Sequence, residues 1–558
     1  MTFKKAWLMA LALFLGIFLA ACSGGDDSES SDGDSGDEAE AESGGEDVLH
    51  LTKSDSIPEM DPNMTTDEYG IQFTGATMEG LYRMKDGEAA PGIATDHEVS
   101  DDGLTWTFNL REDAKWSNGD PVTAGDFVYS WRRAVDPETG SEYGPYMMGD
   151  VVKNATAVNE GEADLEELGV EAPDDYTLKV TLEHPVPYFE SLAAFPTYFP
   201  LNKDFVEKQG DDFATSSDTL LFNGPFTLEK WESTSDSWEL HKNKDYWDAD
   251  TVEMDKLTYK VVKDPQTSVD LYESGKIDRA SLSSDLVDKY KTHDDYETVP
   301  ESTLSYLKMN QTQSEALANK KMRRAISMAI NKEDLVNQIL NNGSVVSTGY
   351  VPKGLANTPD GEDFREANGD LVTYNPEKAK KLWKEGLEEI GKDSVELELL
   401  GGDTETAKTS DEYMINQLSE HLPGLEVTLK SVPFEQRLDL DKKMDYQLQT
   451  FLWGADYLDP YTFLNLWLTD GENNHMGFSN DKYDKLLNET TDELAQDPEA
   501  RYDNFKEAEK ILADEGAVAP LYQRTKAKLI RPKIQDVYVN LFGPKFEYKW
   551  ASLDESKE

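Results

Sequence analysis

Residues 394–432 read SVELELLGGDTETAKTSDEYMINQLSEHLPGLEVTLKSV. Both ends alternate apolar and polar side chains, Val395, Leu397 and Leu399 at one and Leu425, Val427 and Leu429 at the other, with the period of two that a strand requires. Between them a helical stretch is expected near Asp411 to Leu422. A strand, helix, strand order of this kind predicts an α/β lobe with at least partly parallel pairing, because a parallel partner needs a crossover, usually a helix.

Working outward, NPEKAKKLWKEGLEEIG at 375–391 predicts a helix capped by Asn375, with Pro376 in its first turn and Gly391 as terminator. KKMRRAISMAINKEDLVNQILNNG at 320–343 holds two helical pieces, the second capped by Asn331 and ended by Gly343. Nearer the N-terminus, Leu104–Leu110 and Tyr176–Leu182 alternate as strands. Thr123 caps a short amphipathic helix with Phe127, Val128, Trp131, Ala134 and Val135 on its apolar stripe. No repeat with a period of 20 to 50 residues is present, which argues against a solenoid or propeller. Toward the C-terminus, DYQLQTFLWG reads as a half-buried strand, and FLWGADYLDP at 451–460 adds a glycine and an aspartate to its end. Gly454 reads as a bulge or as a place where another backbone comes close. Asp456 faces that place, so a positive group is expected there; the other reading is a strand-end aspartate preparing the Asp459-Pro460 turn.

The start of the chain sets the compartment. Lys4 and Lys5 precede an apolar run from Ala6 to Phe18, too short to span a bilayer and of the length of a secretory signal. Leu19-Ala20-Ala21-Cys22 follows, ending at the only cysteine of the 558 residues. It resembles the lipobox of bacterial lipoproteins, which implies a signal peptide at 1–21 and an acylated Cys22; the alternative is an ordinary cleavage site. One cysteine excludes a disulfide framework. Residues 23–47 contain eleven Asp or Glu with Ser, Gly and Ala and no Lys or Arg, so 22–47 is expected to be a disordered acidic tether. The formal charge is −57. Without the two leader lysines and the tether, about −48 remains on the body, which disfavours nucleic acid as a partner. Its spread along the chain reads as a solvated acidic surface adapted to salt or high pH rather than a cationic-ligand site.

Signals for catalysis are sparse. The seven histidines (50, 97, 184, 241, 293, 421 and 475) are scattered, with no HExxH. GxSxG is absent, and nothing singles out a carboxylate pair among the 111 acids. An enzyme is not expected, no cofactor is implied, and no metal ligand set emerges.

The stretch DDGLTWTFNLREDAKWSNGDPVTAGDFVYSWRRAVDP, 101–137, resembles the signature region of the extracytoplasmic binding proteins that serve bacterial ABC importers of oligopeptides, dipeptides and nickel. Further matching blocks are EGLYRM at 79–84, PVPYF at 185–189, NGPFTLEKW at 223–231, KMRRAISMAINKEDLV at 321–336 and WGADYLDPYTFL at 453–464. They keep the family's order over essentially the whole mature body and lie closest to the oligopeptide-binding branch.

The resemblance implies a two-lobed, hinged periplasmic-binding-protein fold of class II, cluster C type, with an extra subdomain. Residues 48–78, 203–304 and 525–558 would form lobe I, 79–202 the extension and 305–524 lobe II. It implies a monomer, lipid-anchored through Cys22 on the outer face of the cell membrane, that takes oligopeptides with a free N-terminus and delivers them to permease subunits. Asp456 would pair with the peptide's α-ammonium. Leu452 and Gly454 would offer backbone groups, Trp453, Tyr143 and Phe434 walls, and Asn473 and Asn474 a cover; each also reads as an ordinary core or loop residue. The basic residues that some relatives carry near the ADY strand for the peptide's C-terminal carboxylate are missing: Asp441 and Thr450 stand where a positive charge is sought, with Lys442 and Lys443 as neighbours that could substitute. Rival readings are a secreted peptidase on the same scaffold, or a binding protein for dipeptides, nickel or haem.

Overall fold

The 394–432 stretch forms a strand at Val395–Gly402, a helix at Glu405–His421 and a strand at Leu425–Val432. The two strands pair in parallel from Val395↔Leu425 to Gly402↔Val432, as the pattern predicts. The computed structural model describes residues 46–557 apart from 86, 87 and 187. The leader at 1–21, Cys22 and the acidic stretch up to 45 lie outside the described residues. The ordered body already includes Asp47, whose N–H donates to Asp255 Oδ2 at 3.0 Å.

The parallel pair is one end of a mixed sheet. Its strands run in the order Arg279–Leu282, Val518–Ile530, Tyr296–Met309, Leu448–Gly454, Val395–Gly402, Leu425–Val432. The two longest, Tyr296–Met309 and Val518–Ile530, are antiparallel throughout, and their register shifts between Pro300 and Leu304 and again at Ser305/Tyr306. Pro300 has no N–H to give the ladder, which places it where pairing is interrupted. A second sheet pairs Val48–Lys53 in parallel with Lys256–Val261, followed by the antiparallel strands Ser237–Lys242 and Phe226–Glu229. A third is antiparallel: Ala94–Val99, Thr105–Leu110, Thr177–Thr181, Val170–Asp174. Leu49, Phe73, Trp238 and Tyr259 form the apolar cluster under the second sheet, and Met322, Ile326, Trp383, Leu397 and Leu448 one under the mixed sheet, while the cluster under the third, with Phe108, Phe127, Trp131 and Leu178, runs on through Leu304, Tyr306 and Trp453 of the mixed sheet.

The helix ends follow local chemistry. Thr123 and Asp126 form a capping box on Ala124–Val135, and the Asn375 side chain accepts from Lys378 N at 3.0 Å at the head of Pro376–Ile390, which Gly391 ends at φ 66°. Two expectations change. The helix at 405–421 starts six residues earlier than the apolar pattern suggests, because Thr404 caps it by accepting from Ala407 N at 3.2 Å. The second piece of 320–343 ends at Leu340, where Asn341 turns into the left-handed region at φ 44° ahead of Gly343. The strand Leu448–Gly454 is half-buried, as the pattern predicts, and lies inside the sheet: it pairs with Tyr296–Met309 on one side and, at Leu448 and Gln449, with Val395–Gly402 on the other.

Candidate functional site

Between these elements lies a cavity of about 420 Å³, a size typical of ligand sites. Its wall includes the end of the strand Leu448–Gly454, the helix Phe434–Lys442, the first turns of the helix at 405–421, and Tyr143. The strand ladder leaves part of its backbone free. Ala455 N donates to Ser302 O and Asn310 N to Gln447 O, both toward Tyr296–Met309. Backbone groups of successive residues point to opposite sides, so Thr450, Leu452 and Gly454 face the other way, where the pairing with Val395–Gly402 has already stopped at Gln449. Thr450 O is taken by Arg437 Nη1 at 3.2 Å. Leu452 and Gly454 therefore present an unpaired edge to the cavity.

Asp456 sits just past that edge and is 3% exposed. Its N–H donates to Thr462 Oγ1 at 3.1 Å, which pins the turn. Tyr146 Oη donates to its Oδ2 at 3.1 Å. Among the described residues no cation lies within ion-pair distance of the carboxylate. Burial pushes its carboxyl up to about 7, against the opposing pull of Tyr146 and Lys545. The Asp459-Pro460 turn is held instead by Asp459 itself, paired with Arg501 at 2.6 Å. At Gly454 the close neighbour is a side chain rather than a backbone: a Cβ there would stand 3.3 Å from Lys545 Nζ and 3.4 Å from Thr303 Oγ1.

Tyr143 and Trp453 meet on the cavity wall with ring centroids 6.2 Å apart, and Tyr146 lies edge-on to Trp453 at 5.9 Å. Phe434 lines the cavity and packs edge-on against Tyr69 at 5.4 Å. Asn473 is also on the wall. Asn474 is not: its amide donates to Leu468 O at 2.8 Å and Phe478 O at 2.7 Å, closing its own loop. Tyr146 escaped the sequence reading, although YGPYMM places it three residues after Tyr143 on one helical face.

Around the positions where a cation for a peptide carboxylate is sought, the acids and lysines are mostly engaged with one another. Asp441 is buried and held by Lys308 Nζ at 2.5 Å and His475 Nδ1 at 2.8 Å. Lys442 reaches Glu142 at 3.2 Å, while Lys443 points to the surface beside Asp439. The cation behind Thr450 is Arg437, from the same RLDLDKK stretch. Burial lowers its pKa, opposed by the nearby Asp411, whose own carboxyl burial pushes up to about 7. Across the cavity, Lys263 Nζ binds Asp403 Oδ2 at 2.6 Å, with Asp55 at 3.6 Å. Among the described residues no group of three or more His, Cys, Asp or Glu is placed to hold a metal ion, and no helix is long and apolar enough to cross a membrane.

Comparison with known proteins places this geometry. The model of the bacterial extracellular solute-binding proteins, family 5 Middle, matches residues 88–475. The chain is 35% identical over 514 residues to a dipeptide-binding protein of Lactococcus lactis subsp. cremoris, covering 89% of this chain and 92% of the relative. It is 33% identical over 549 residues to the dipeptide-binding protein DppE of Bacillus subtilis, covering 98% and 99%. Its fold matches Listeria monocytogenes OppA bound to peptide with a TM-score of 0.89 at 44% identity, covering 92% of this chain and 100% of that one. The fold is thus the two-lobed α/β fold of periplasmic binding proteins, with an added subdomain, and the chain belongs to the family 5 bacterial extracellular solute-binding proteins.

Proposed function

We propose that this protein captures oligopeptides in extended form between its two lobes and delivers them to the permease of an ABC importer. One observation carries the reading: the unpaired strand edge at Leu452 and Gly454 runs directly into a buried carboxylate that has no cation of its own. A peptide adds to that edge as a further strand, using main-chain hydrogen bonds that are blind to sequence. Its α-ammonium meets Asp456, with the Tyr146 hydroxyl beside it. Trp453, Tyr143 and Phe434 wall the side-chain pockets and Asn473 covers the chain; Asn474 serves by holding that loop. Relatives named for dipeptides and a structural neighbour bound to peptide support the same class of ligand.

The lobes divide as 48–78, 203–304 and 525–558 against 305–524, with 79–202 as the extension. The register shift after Pro300 falls where two of these boundaries cross the sheet, a natural place for closure. Lys263–Asp403 and Lys442–Glu142 then latch the closed form. Acylated Cys22 anchors a monomer outside the cell through the acidic tether, and the protein carries out no chemistry on its cargo. Calorimetry with a mixture of free tri- to hexapeptides, followed by mass spectrometry of the recovered mixture, tests this. Stoichiometric binding with peptides returned intact is expected. Absence of binding, or cleaved products, would contradict it.

A further inference from the structure

Three cations surround one aromatic ring on the cavity wall. Lys53 Nζ, Arg279 Cζ and Lys528 Nζ lie 5.8, 4.4 and 4.2 Å from the centroid of Phe546, and all four residues line the cavity. They come from three strands far apart in sequence, Val48–Lys53, Arg279–Leu282 and Val518–Ile530. Two acids stand nearby but are engaged elsewhere: Glu68 takes Arg524 Nη2 at 2.5 Å, and Glu301 takes Arg524 Nε and Lys526 Nζ, the latter at 3.2 Å. Among the described residues Lys53, Arg279 and Lys528 have neither a side-chain hydrogen bond nor an ion pair.

Lys528 is only 3% exposed. A buried ammonium without an acceptor is costly, and a ring face returns only part of that. Burial, with Arg279 and Lys526 adding repulsion, pushes the Lys528 amine well below its usual range, and burial with the same two neighbours brings Lys53 down to about 7. In a chain with 111 acids to 54 bases, these three adjacent basic side chains face the cavity with no acid of their own.

We propose that Lys53, Arg279 and Lys528 form a carboxylate-binding subsite in this cavity, occupied by an acidic side chain or by the C-terminus of the bound peptide. The inference rests on the peptide reading above and adds to it a preference for cargo with a carboxylate at one register. A carboxylate supplies the acceptors the three donors lack, as a charge-assisted contact with water excluded. Both sources offer the same group, so the test separates them.

Calorimetry on the whole mature protein uses hexa-alanine with free termini, the same peptide with Glu or isosteric Gln at each of positions 2 to 6, and the C-terminal amide of the host. If a side chain is the occupant, Glu binds at least about tenfold more tightly than Gln at one register; if the C-terminus is, the acid exceeds the amide by the same factor. In Lys528→Met and in Lys53→Met that ratio is expected to fall below about twofold. The Glu and Gln arms on the unaltered protein stand even if a variant does not fold. Glu equal to Gln at every register together with amide equal to acid, or a ratio that survives in both variants, overturns the subsite while the peptide reading stands. Failure of hexa-alanine itself to bind overturns the peptide reading, and the subsite with it.

Discussion

Asp456 carries a charge that folding makes expensive and leaves without a cation, and its pKa turns this into a measurable dependence on pH. Burial raises the carboxyl from its ordinary range to about 7, so below pH 7 the acid is protonated and neutral. A peptide amine titrates near about 8 and needs the ionised acid opposite it. Affinity for free amino termini should therefore rise with pH up to about 7, hold between about 7 and 8, and fall above as the amine loses its proton. Calorimetry from pH 5.5 to 9 at constant ionic strength checks this; affinity unchanged between pH 5.5 and 7 would remove Asp456 from the ammonium site. Tyr146, whose hydroxyl donates to Asp456 Oδ2, supports the ionised form. Tyr146→Phe should weaken binding by about 0.5–1.5 kcal/mol and move the acid limb of the pH profile upward, whereas a purely packing role would leave the profile in place.

At the level of elements, the short helix Tyr143–Met148 is set by Gly144. A Cβ at Gly144 would fall 1.6 Å from Ala134 O, at the end of the helix Ala124–Val135. Gly144→Ala must push the two helices apart and with them both tyrosines. A stability loss of about 1–3 kcal/mol is expected, seen in thermal unfolding, together with weaker peptide binding; an unchanged melting temperature and affinity would show that this contact does not place the site. The same contrast between core and cavity explains what the sequence revealed. Val395–Gly402 and Leu425–Val432 were legible because both alternate against a buried face. The start of the helix at 405–421 was not, because Thr404, Thr406, Ala407 and Ser410 look into the cavity, and a cavity-lining face carries no apolar stripe. Asp456, Trp453 and Tyr143, which the family resemblance singles out, line the cavity. Arg437 was overlooked beside the acids of RLDLDKK, and Lys53, Arg279 and Lys528 were invisible because only the fold of distant strands brings them together. Asn474 read as a cover residue but is consumed by hydrogen bonds within its own loop.

For the whole molecule, a strongly acidic body encloses a cavity in which unpaired charges of both signs wait at separate places. Net charge keeps such a protein soluble, while affinity depends on the enclosed groups and on the equilibrium between open and closed lobes. Asp403→Ala removes the Lys263 latch and should reduce peptide affinity modestly, by about 0.2–1 kcal/mol for a half-exposed pair. Small-angle scattering should show compaction on adding peptide, and scattering curves that superpose with and without saturating peptide would contradict hinge closure. The central claim is that the peptide's ammonium is held by Asp456 inside the closed cavity. A thermodynamic cycle by calorimetry, pairing Asp456→Asn with N-acetylation of one peptide, tests it most directly. Each change alone should cost about 3–5 kcal/mol, and both together no more than either; losses that simply add, or acetylated peptide binding as well as free peptide, would contradict it.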